Sequence, residues 1–301
     1  MADPLIPTVD LSPFFREDDE DGKKKAMEII TQACSDYGFF QVVNHGVPLN
    51  LLHKALELSR IFFKYPCQEK LKSSPLSAAP APVGYGTQPQ NSPDKNEYLL
   101  MFPPGSAFNI FPHNPPQLKE TLEDLFSQIS KTAVLMESVV NNCLGLPPKF
   151  LQEFNHDRSW DFMVAFRYFP ATDETDNNGS IQHEDGNCIS LVFQDEAGLQ
   201  VRKDGEWIPV LSNKKFKSAT HRVVRPMGRS RHSFAFFHNL QGDKWVEPLP
   251  QFTKDIGEPP IYRGFQYKEY QQFRVRNKTH PPASPEDEIR ITHYQITPNS
   301  Y

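Results

Sequence analysis

Along the first half of the chain apolar residues recur at helical spacing, and after Trp160 the period shortens to that of strands. Residues 23–34 place their apolar side chains on one helical face behind an acidic approach. Residues 48–63 carry leucines and phenylalanines three and four apart, with proline at the start, where a missing N–H costs little. Residues 116–142 form the longest such stretch, closed by Gly145 and the Pro147-Pro148 pair, and predict a helix that buttresses a sheet. Strands are predicted over residues 6–11 and 37–46, the second β-branched and aromatic and ended by a turn glycine, and over 97–102. Between them residues 73–96, rich in Ser, Pro, Ala and Gly, predict a loop long enough to serve as a lid.

Beyond Trp160, residues 161–169, 189–194, 198–202 and 207–210 read as short strands separated by Gly, Asp and Asn turns. That spacing predicts a barrel or jelly roll. With the helices placed first, the fold class is α+β and mainly β, a helical N-terminal region wrapped on a C-terminal β-core. The expected divisions are 1–110 (strands, helices and a Pro/Ala/Ser loop), 111–160 (buttressing helices), 161–270 (β-core) and 271–301 (C-terminal extension).

Composition narrows the function classes. The 301 residues suit one enzyme-sized unit, and the 28 prolines and 23 phenylalanines mark many element boundaries and a core rich in flat rings. A net charge of −5 carries no basic footprint for nucleic acid or an anionic membrane. No secretion signal or spanning apolar run is evident, so a cytoplasmic monomer acting on a small-molecule substrate is expected. The four cysteines, 34, 67, 143 and 188, are scattered without a C-x-x-C pair and read as free thiols. Residues 16–21 read as a solvated acidic loop, and His45, alone at a strand end, as a structural hydrogen-bonding residue.

The chemistry gathers in the β-core. His183-Glu-Asp185 offers an imidazole and a carboxylate two residues apart; on a strand, i and i+2 share a face and could grip one ion. His221 heads a β-branched run and completes a two-histidine, one-carboxylate set, the donor set of non-haem Fe(II) oxygenases. Ten residues on, Arg231-His-Ser233 presents a guanidinium and a hydroxyl on one strand face, a fork suited to a carboxylate. Phe102, Phe108 and Phe111 sit in a proline-punctuated region where packing is the ordinary use of such rings and a pocket wall the functional one.

Taken together, these residues resemble the plant soluble 2-oxoglutarate- and Fe(II)-dependent dioxygenases, a family that includes flavonoid hydroxylases, gibberellin oxidases and auxin oxidases. The resemblance runs along almost the whole chain, through Ile6-Pro-Thr-Val-Asp-Leu11, Tyr37-Gly-Phe-Phe-Gln-Val-Val-Asn-His-Gly-Val47, His183-Glu-Asp-Gly-Asn187, Ser212-Asn-Lys-Lys-Phe-Lys-Ser-Ala-Thr-His-Arg-Val223 and Arg231-His-Ser233. It implies a double-stranded β-helix, with His183, Asp185 and His221 on iron and Arg231 and Ser233 on the distal carboxylate of 2-oxoglutarate. By the same mapping Phe237 faces a substrate pocket, joined by Phe102 and Phe108. The cofactors implied are Fe(II), 2-oxoglutarate as cosubstrate, O2, and ascorbate as reductant. The implied reaction is hydroxylation or desaturation of a small apolar plant metabolite or hormone, such as a flavonoid, with release of succinate and CO2.

Two departures from the family pattern carry expectations of their own. The family often has Asn-x-Tyr-Pro before the iron motif, its tyrosine hydroxyl near the cosubstrate, whereas this chain has Arg167-Tyr-Phe-Pro170. Phe169 then stands at a cosubstrate-binding position without the hydroxyl, a loss of roughly 0.5–1.5 kcal/mol. In addition, Val210 runs straight into Leu211-Ser-Asn213, where the family has a further apolar strand and a Gly-Asp turn. Loss of a central strand is expected to unpair two ladders in the sheet that positions His221. Two alternatives stay open on these grounds: an iron oxidase of the ethylene-forming type that does not use 2-oxoglutarate, and an inactive or binding-only truncated variant.

Overall fold

The computed structural model describes residues 6–75, 82–90, 92–202, 212, 215–279, 282, 284, 287 and 289–296. Strand β1 (Thr8–Asp10) leads through helix α1 (Glu20–Asp36) to β2 (Gln41–Val43), which pairs with β1 in parallel, Val9 against Val42. Helix α1 starts three residues before its apolar pattern because Asp19 caps it, its carboxylate accepting the Gly22 N–H at 3.0 Å. Glu20 and Asp21 lie in the first turn, where negative charge meets the positive end of the helix dipole. The acidic stretch is therefore a helix start as much as a solvated loop. The predicted strand over 37–46 contracts to β2, and the His45 side chain caps the turn that follows, Nδ1 accepting from the Val47 N–H at 3.2 Å.

Helices α2 (Leu49–Lys64) and α3 (Cys67–Leu71) precede β3 (Gly84–Thr87) and β4 (Asn96–Met101). The expected loop over 73–96 thus contains a strand: β3 pairs with β4 in antiparallel register, Tyr85 against Leu99. Residues 76–81 and 91 of that loop lie outside the described residues. Helices α4 (Leu118–Cys143) and α5 (Phe150–Phe154) follow. The jelly-roll strands come next: β5 (Phe162–Tyr168), β6 (Asn178–His183), β7 (Ile189–Gln194), β8 (Leu199–Val201), β9 (His221–Val224) and β10 (Arg231–His238). The chain then runs through β11 (Trp245–Val246), β12 (Phe265–Gln266) and α6 (Tyr267–Thr279).

Among the described residues the larger sheet has the order β3-β4-β5-β10-β7 and the smaller β6-β9-β8. Helix α4 buttresses the larger one. Its Leu118, Leu122, Leu125, Phe126, Ile129 and Ala133, three and four apart, bury against Met163, Ala165, Phe234 and Phe236. The Phe126 and Phe236 rings meet edge to face at 5.0 Å. Because strand residues alternate, burying Phe234 and Phe236 under the helix turns Ser233, Ala235 and Phe237 toward the other face, as Met163 and Ala165 turn Phe162, Val164 and Phe166.

The predicted strand over 207–210 lies outside the described residues. Strand β7 has β10 as its partner among the described residues, and its Val192 is 44% exposed. The expected disruption around His221 does not occur, for β9 keeps a partner on each side, with His183 paired to His221 and Val201 also paired to His221. The division at 270/271 cuts through α6, whose Tyr267 and Tyr270 bury with Leu240, Tyr262, Phe265 and Tyr294 in one aromatic cluster. The C-terminal stretch is continuous with the β-core. No helix among the described residues is long and apolar enough to cross a membrane.

Candidate metal and cosubstrate site

Strand β6 ends on His183, and the chain has left it before Asp185, which sits in the turn to β7. The expectation that both share a strand face is corrected on this point: hydrogen bonds in the turn, not alternation, aim the carboxylate. The Ser190 hydroxyl donates to Asp185 Oδ2 in a short contact, and Asn187 Nδ2 donates to Ser190 Oγ at 3.0 Å. Oδ1 is left 3.7 Å from His183 Nε2 and 3.8 Å from His221 Nε2. Burial raises the Asp185 pKa, but His221, His183 and the Ser190 hydroxyl outweigh it, and the carboxyl titrates below its ordinary value.

Each imidazole is held at Nδ1 by a backbone carbonyl, Ile181 O at 2.7 Å and Ala219 O at 2.9 Å. A carbonyl only accepts, so Nδ1 carries the proton in the neutral tautomer and Nε2 is the nitrogen left on the carboxylate side. That tautomer is the one ligation through Nε2 requires. The three donor atoms lie within 4.8 Å of one another. Two imidazoles and a carboxylate, with the outer atoms of all three already tied to partners, fit a non-haem Fe(II) ion.

Arg231 and Ser233 lie on the inner face of β10, and Arg231 is 1% exposed. Its Nε donates to Glu196 O at 3.1 Å, its NH1 to Ser233 Oγ at 3.5 Å, and its NH2 to the Gln194 side chain in a short contact. Gly198 makes room for it: a Cβ there would stand 2.6 Å from the Val224 carbonyl oxygen and 3.0 Å from Arg231 Cδ. Opposite Arg231 in register is Tyr168, buried, its ring 4.9 Å from the guanidinium and its hydroxyl bonded with Ser233 and Arg231. Burial raises its pKa, with Arg231 and Ser233 opposing, so it remains a neutral donor.

Phe169 is not part of this group. One residue beyond Tyr168, it turns to the other face, beside the Arg167 guanidinium at 5.4 Å, while its N–H donates to Lys95 O at 3.2 Å. The assignment of Phe169 to the cosubstrate is corrected for that reason. The preceding residue, Tyr168, places a hydroxyl beside Arg231 and Ser233. Strand alternation against Arg231 was the signal that could have found Tyr168.

On the same inner face a ladder of rings leads outward. Phe237 stacks on Phe162 at 4.7 Å, Phe162 meets Phe102 at 6.4 Å, and Phe102 meets Phe108 at 6.3 Å, with Phe108 61% exposed at the outer end. The three expected rings are brought together, and Phe162, not anticipated, links them. Val83, Leu100, Val164, Tyr98 and Phe166 complete the apolar wall.

Residues 6–123 match the family described as non-haem dioxygenase in morphine synthesis N-terminal, and residues 160–240 match the 2OG-Fe(II) oxygenase superfamily. Flavonol synthase/flavanone 3-hydroxylase of Arabidopsis thaliana is 29% identical over 301 residues, covering 91% of this chain and 87% of that protein. 1-Aminocyclopropane-1-carboxylate oxidase 5 of the same plant is 31% identical over 306 residues, 92% of this chain and 96% of that protein. The crystal structure of JOX2 in complex with 2OG, Fe and JA superposes with a TM-score of 0.81 at 26% identity, covering 97% of this chain and 89% of that one. The chain belongs to the 2OG-Fe(II) oxygenase superfamily, within its plant dioxygenases. It is a 2-oxoglutarate-dependent non-haem iron dioxygenase whose cofactors are Fe(II), 2-oxoglutarate and O2.

Proposed function

We propose that this chain hydroxylates or desaturates a small, flat, largely apolar molecule of the flavonoid or plant-hormone class. His183, Asp185 and His221 hold the iron, and Arg231, Ser233 and Tyr168 hold the distal carboxylate of 2-oxoglutarate. When bound, the iron couples oxidative decarboxylation of 2-oxoglutarate by O2 to removal of hydrogen from the substrate, releasing succinate and CO2. The protein's own part is placement. Ser190 turns one Asp185 oxygen away from the metal and leaves the other for it, while the two backbone carbonyls keep both imidazoles in the ligating tautomer. Arg231 and Tyr168, both buried, meet the cosubstrate where water is excluded.

The observation that carries the substrate class is the ring ladder Phe237–Phe162–Phe102–Phe108 on the face that also bears Arg231 and Ser233. Flat rings offer stacking area to a planar apolar molecule. Ascorbate serves as reductant, and the protein works as a cytoplasmic monomer. The test is a panel of flavonoids and carboxylated hormones scored by succinate release. Succinate formed in step with a flavonoid, and abolished in His183→Ala, is the expected result. Turnover that persists in His183→Ala overturns the metal assignment, and turnover without 2-oxoglutarate assigns the chain to the ethylene-forming type.

A further inference from the structure

Two peptide units of the Asp185 turn, 184–185 and 186–187, are held from outside the jelly roll, by one face of α6. The Arg274 guanidinium donates to Glu184 O in a short contact. Gln271 Nε2 donates to Gly186 O at 3.0 Å, and the Tyr267 hydroxyl lies 2.9 Å from the same oxygen. Residues 267, 271 and 274 fall at i, i+4 and i+7, one helical stripe. Gly186 allows the approach, since a Cβ there would stand 3.2 Å from both Arg274 Nε and Tyr270 Cε1. The stripe also ties this turn to the end of β10: Tyr267 OH lies 2.7 Å from Asn239 Oδ1, and Asn239 Nδ2 donates to Phe237 O at 3.0 Å.

Asp185 is the one ligand of the three that no strand carries, as His183 ends β6 and His221 begins β9. Its aim depends on its own φ and ψ and on those of Gly186: the Glu184 carbonyl belongs to the peptide plane that enters the Asp185 Cα, and the Gly186 carbonyl to the plane one residue beyond it, so the peptide between them is held from both ends. We infer that α6 is a positioning element of the metal site: Gln271 and Arg274, supported by Tyr267, fix the turn that sets where the Asp185 carboxylate stands. This rests on His183, Asp185 and His221 being the metal ligands. The helix touches neither metal nor cosubstrate, so its contribution is to metal affinity and ligand geometry.

The test titrates metal-free protein with Co(II), following the dissociation constant and the visible absorption spectrum that reports ligand geometry, alongside metal-free melting. Arg274→Met and Gln271→Met keep the stems and remove the donors. Each is expected to weaken Co(II) binding about tenfold, to alter the spectrum, and to leave the metal-free melting temperature close to that of the parent. Arg274→Lys, whose ammonium reaches the same carbonyl, is expected to restore most of the affinity. Unchanged affinity in both Met variants overturns the inference, as does a loss that follows a fall in metal-free melting or that Arg274→Lys fails to restore. His183→Ala serves as the control: parental Co(II) affinity in that variant overturns the ligand assignment itself, whatever the α6 variants do.

Discussion

Tyr168→Phe removes one hydroxyl and leaves the ring over Arg231 in place. The ring centroid is 4.9 Å from the guanidinium, a contact that phenylalanine preserves, so the ring keeps its position while the hydroxyl and its bonds, including those with Ser233 and Arg231, are lost. With Tyr168 and Arg231 both buried, a cosubstrate carboxylate at this end has little water to replace the lost donor. A hydrogen bond to a charged acceptor is worth about 1.5–3 kcal/mol. Arg231 and Ser233 remain to share the charge, which points to the lower end, about 1.5 kcal/mol, or about a tenfold rise in the 2-oxoglutarate dissociation constant. Phe169→Tyr is the companion variant. Its new hydroxyl emerges beside Arg167 on the other face and is expected to leave the constant unchanged. Anaerobic calorimetric titration of 2-oxoglutarate into the Mn(II)-loaded protein reads both variants. Parental affinity in Tyr168→Phe together with tighter binding in Phe169→Tyr would refute the reasoning and return the cosubstrate position to residue 169.

Gly198→Ala drives a methyl against the Val224 carbonyl oxygen and Arg231 Cδ, so KM for 2-oxoglutarate is expected to rise several-fold while Co(II) affinity holds; equal loss of both would mean that the sheet, not the guanidinium, has moved. Phe237→Ala opens the inner end of the ring ladder and is expected to raise KM for a flat substrate about tenfold, a loss of about 1.4 kcal/mol, with the 2-oxoglutarate constant unaltered in a parallel titration. Glu184 gives a pH signature in the metal-free protein. Burial pushes its pKa up to about 7, against lowering by the Thr220 hydroxyl and by Arg274 and Arg290, so the folded state holds a proton that the unfolded state releases near the ordinary carboxyl value. Stability is therefore lost as pH rises from about 4.5 to 7, and Glu184→Gln should recover about 1–2 kcal/mol at pH 8 after discounting for partial exposure, and less at pH 5. Urea melts at the two pH values check it; a gain that is larger at pH 5 contradicts the sign.

How far the site was legible depended on which physical rule carried each residue. His183 and His221 stand across from one another on β6 and β9, so an H-x-D motif and a histidine heading a β-branched run were enough. Arg231 and Ser233 followed from strand alternation, and so did the burial of α4, whose apolar stripe has a single sheet to cover. The same alternation, applied one strand over, would have given Tyr168 and Phe162, since Arg231 faces Tyr168 and Phe237 faces Phe162 across the β5–β10 ladder. Asp185 is a different case: a turn sets its aim through Ser190, Gln271 and Arg274, and contacts spanning five to ninety residues leave no local period to read. The strand β3 inside a Ser, Pro and Ala stretch was hidden likewise, because it is made by pairing with β4 rather than by its own propensity.

The junction at Val210-Leu211, where loss of a strand was expected, shows why pattern and consequence diverge. An expected strand that the family pattern has and this sequence lacks after Val210 is noticed at once, but its cost would be set by which ladder lost a partner. Of the two strands that bear histidine ligands, β9 is flanked by β6 and β8, and β6 is paired to β9; the Nδ1 bonds to Ile181 O and Ala219 O are made within those strands' own approaches. Among the described residues β7 is paired on one side, to β10, and its Val192 is half-exposed. Among the described residues, Ser190 and Gln194 of β7 reach the site, at Asp185 and Arg231. The two histidine ligands are thereby set apart from β7, while Asp185 is reached from it through Ser190. A frayed β7 would therefore be felt at two points, the Asp185 carboxylate through Ser190 and the cosubstrate end through Gln194 and Arg231, and not at the paired histidines.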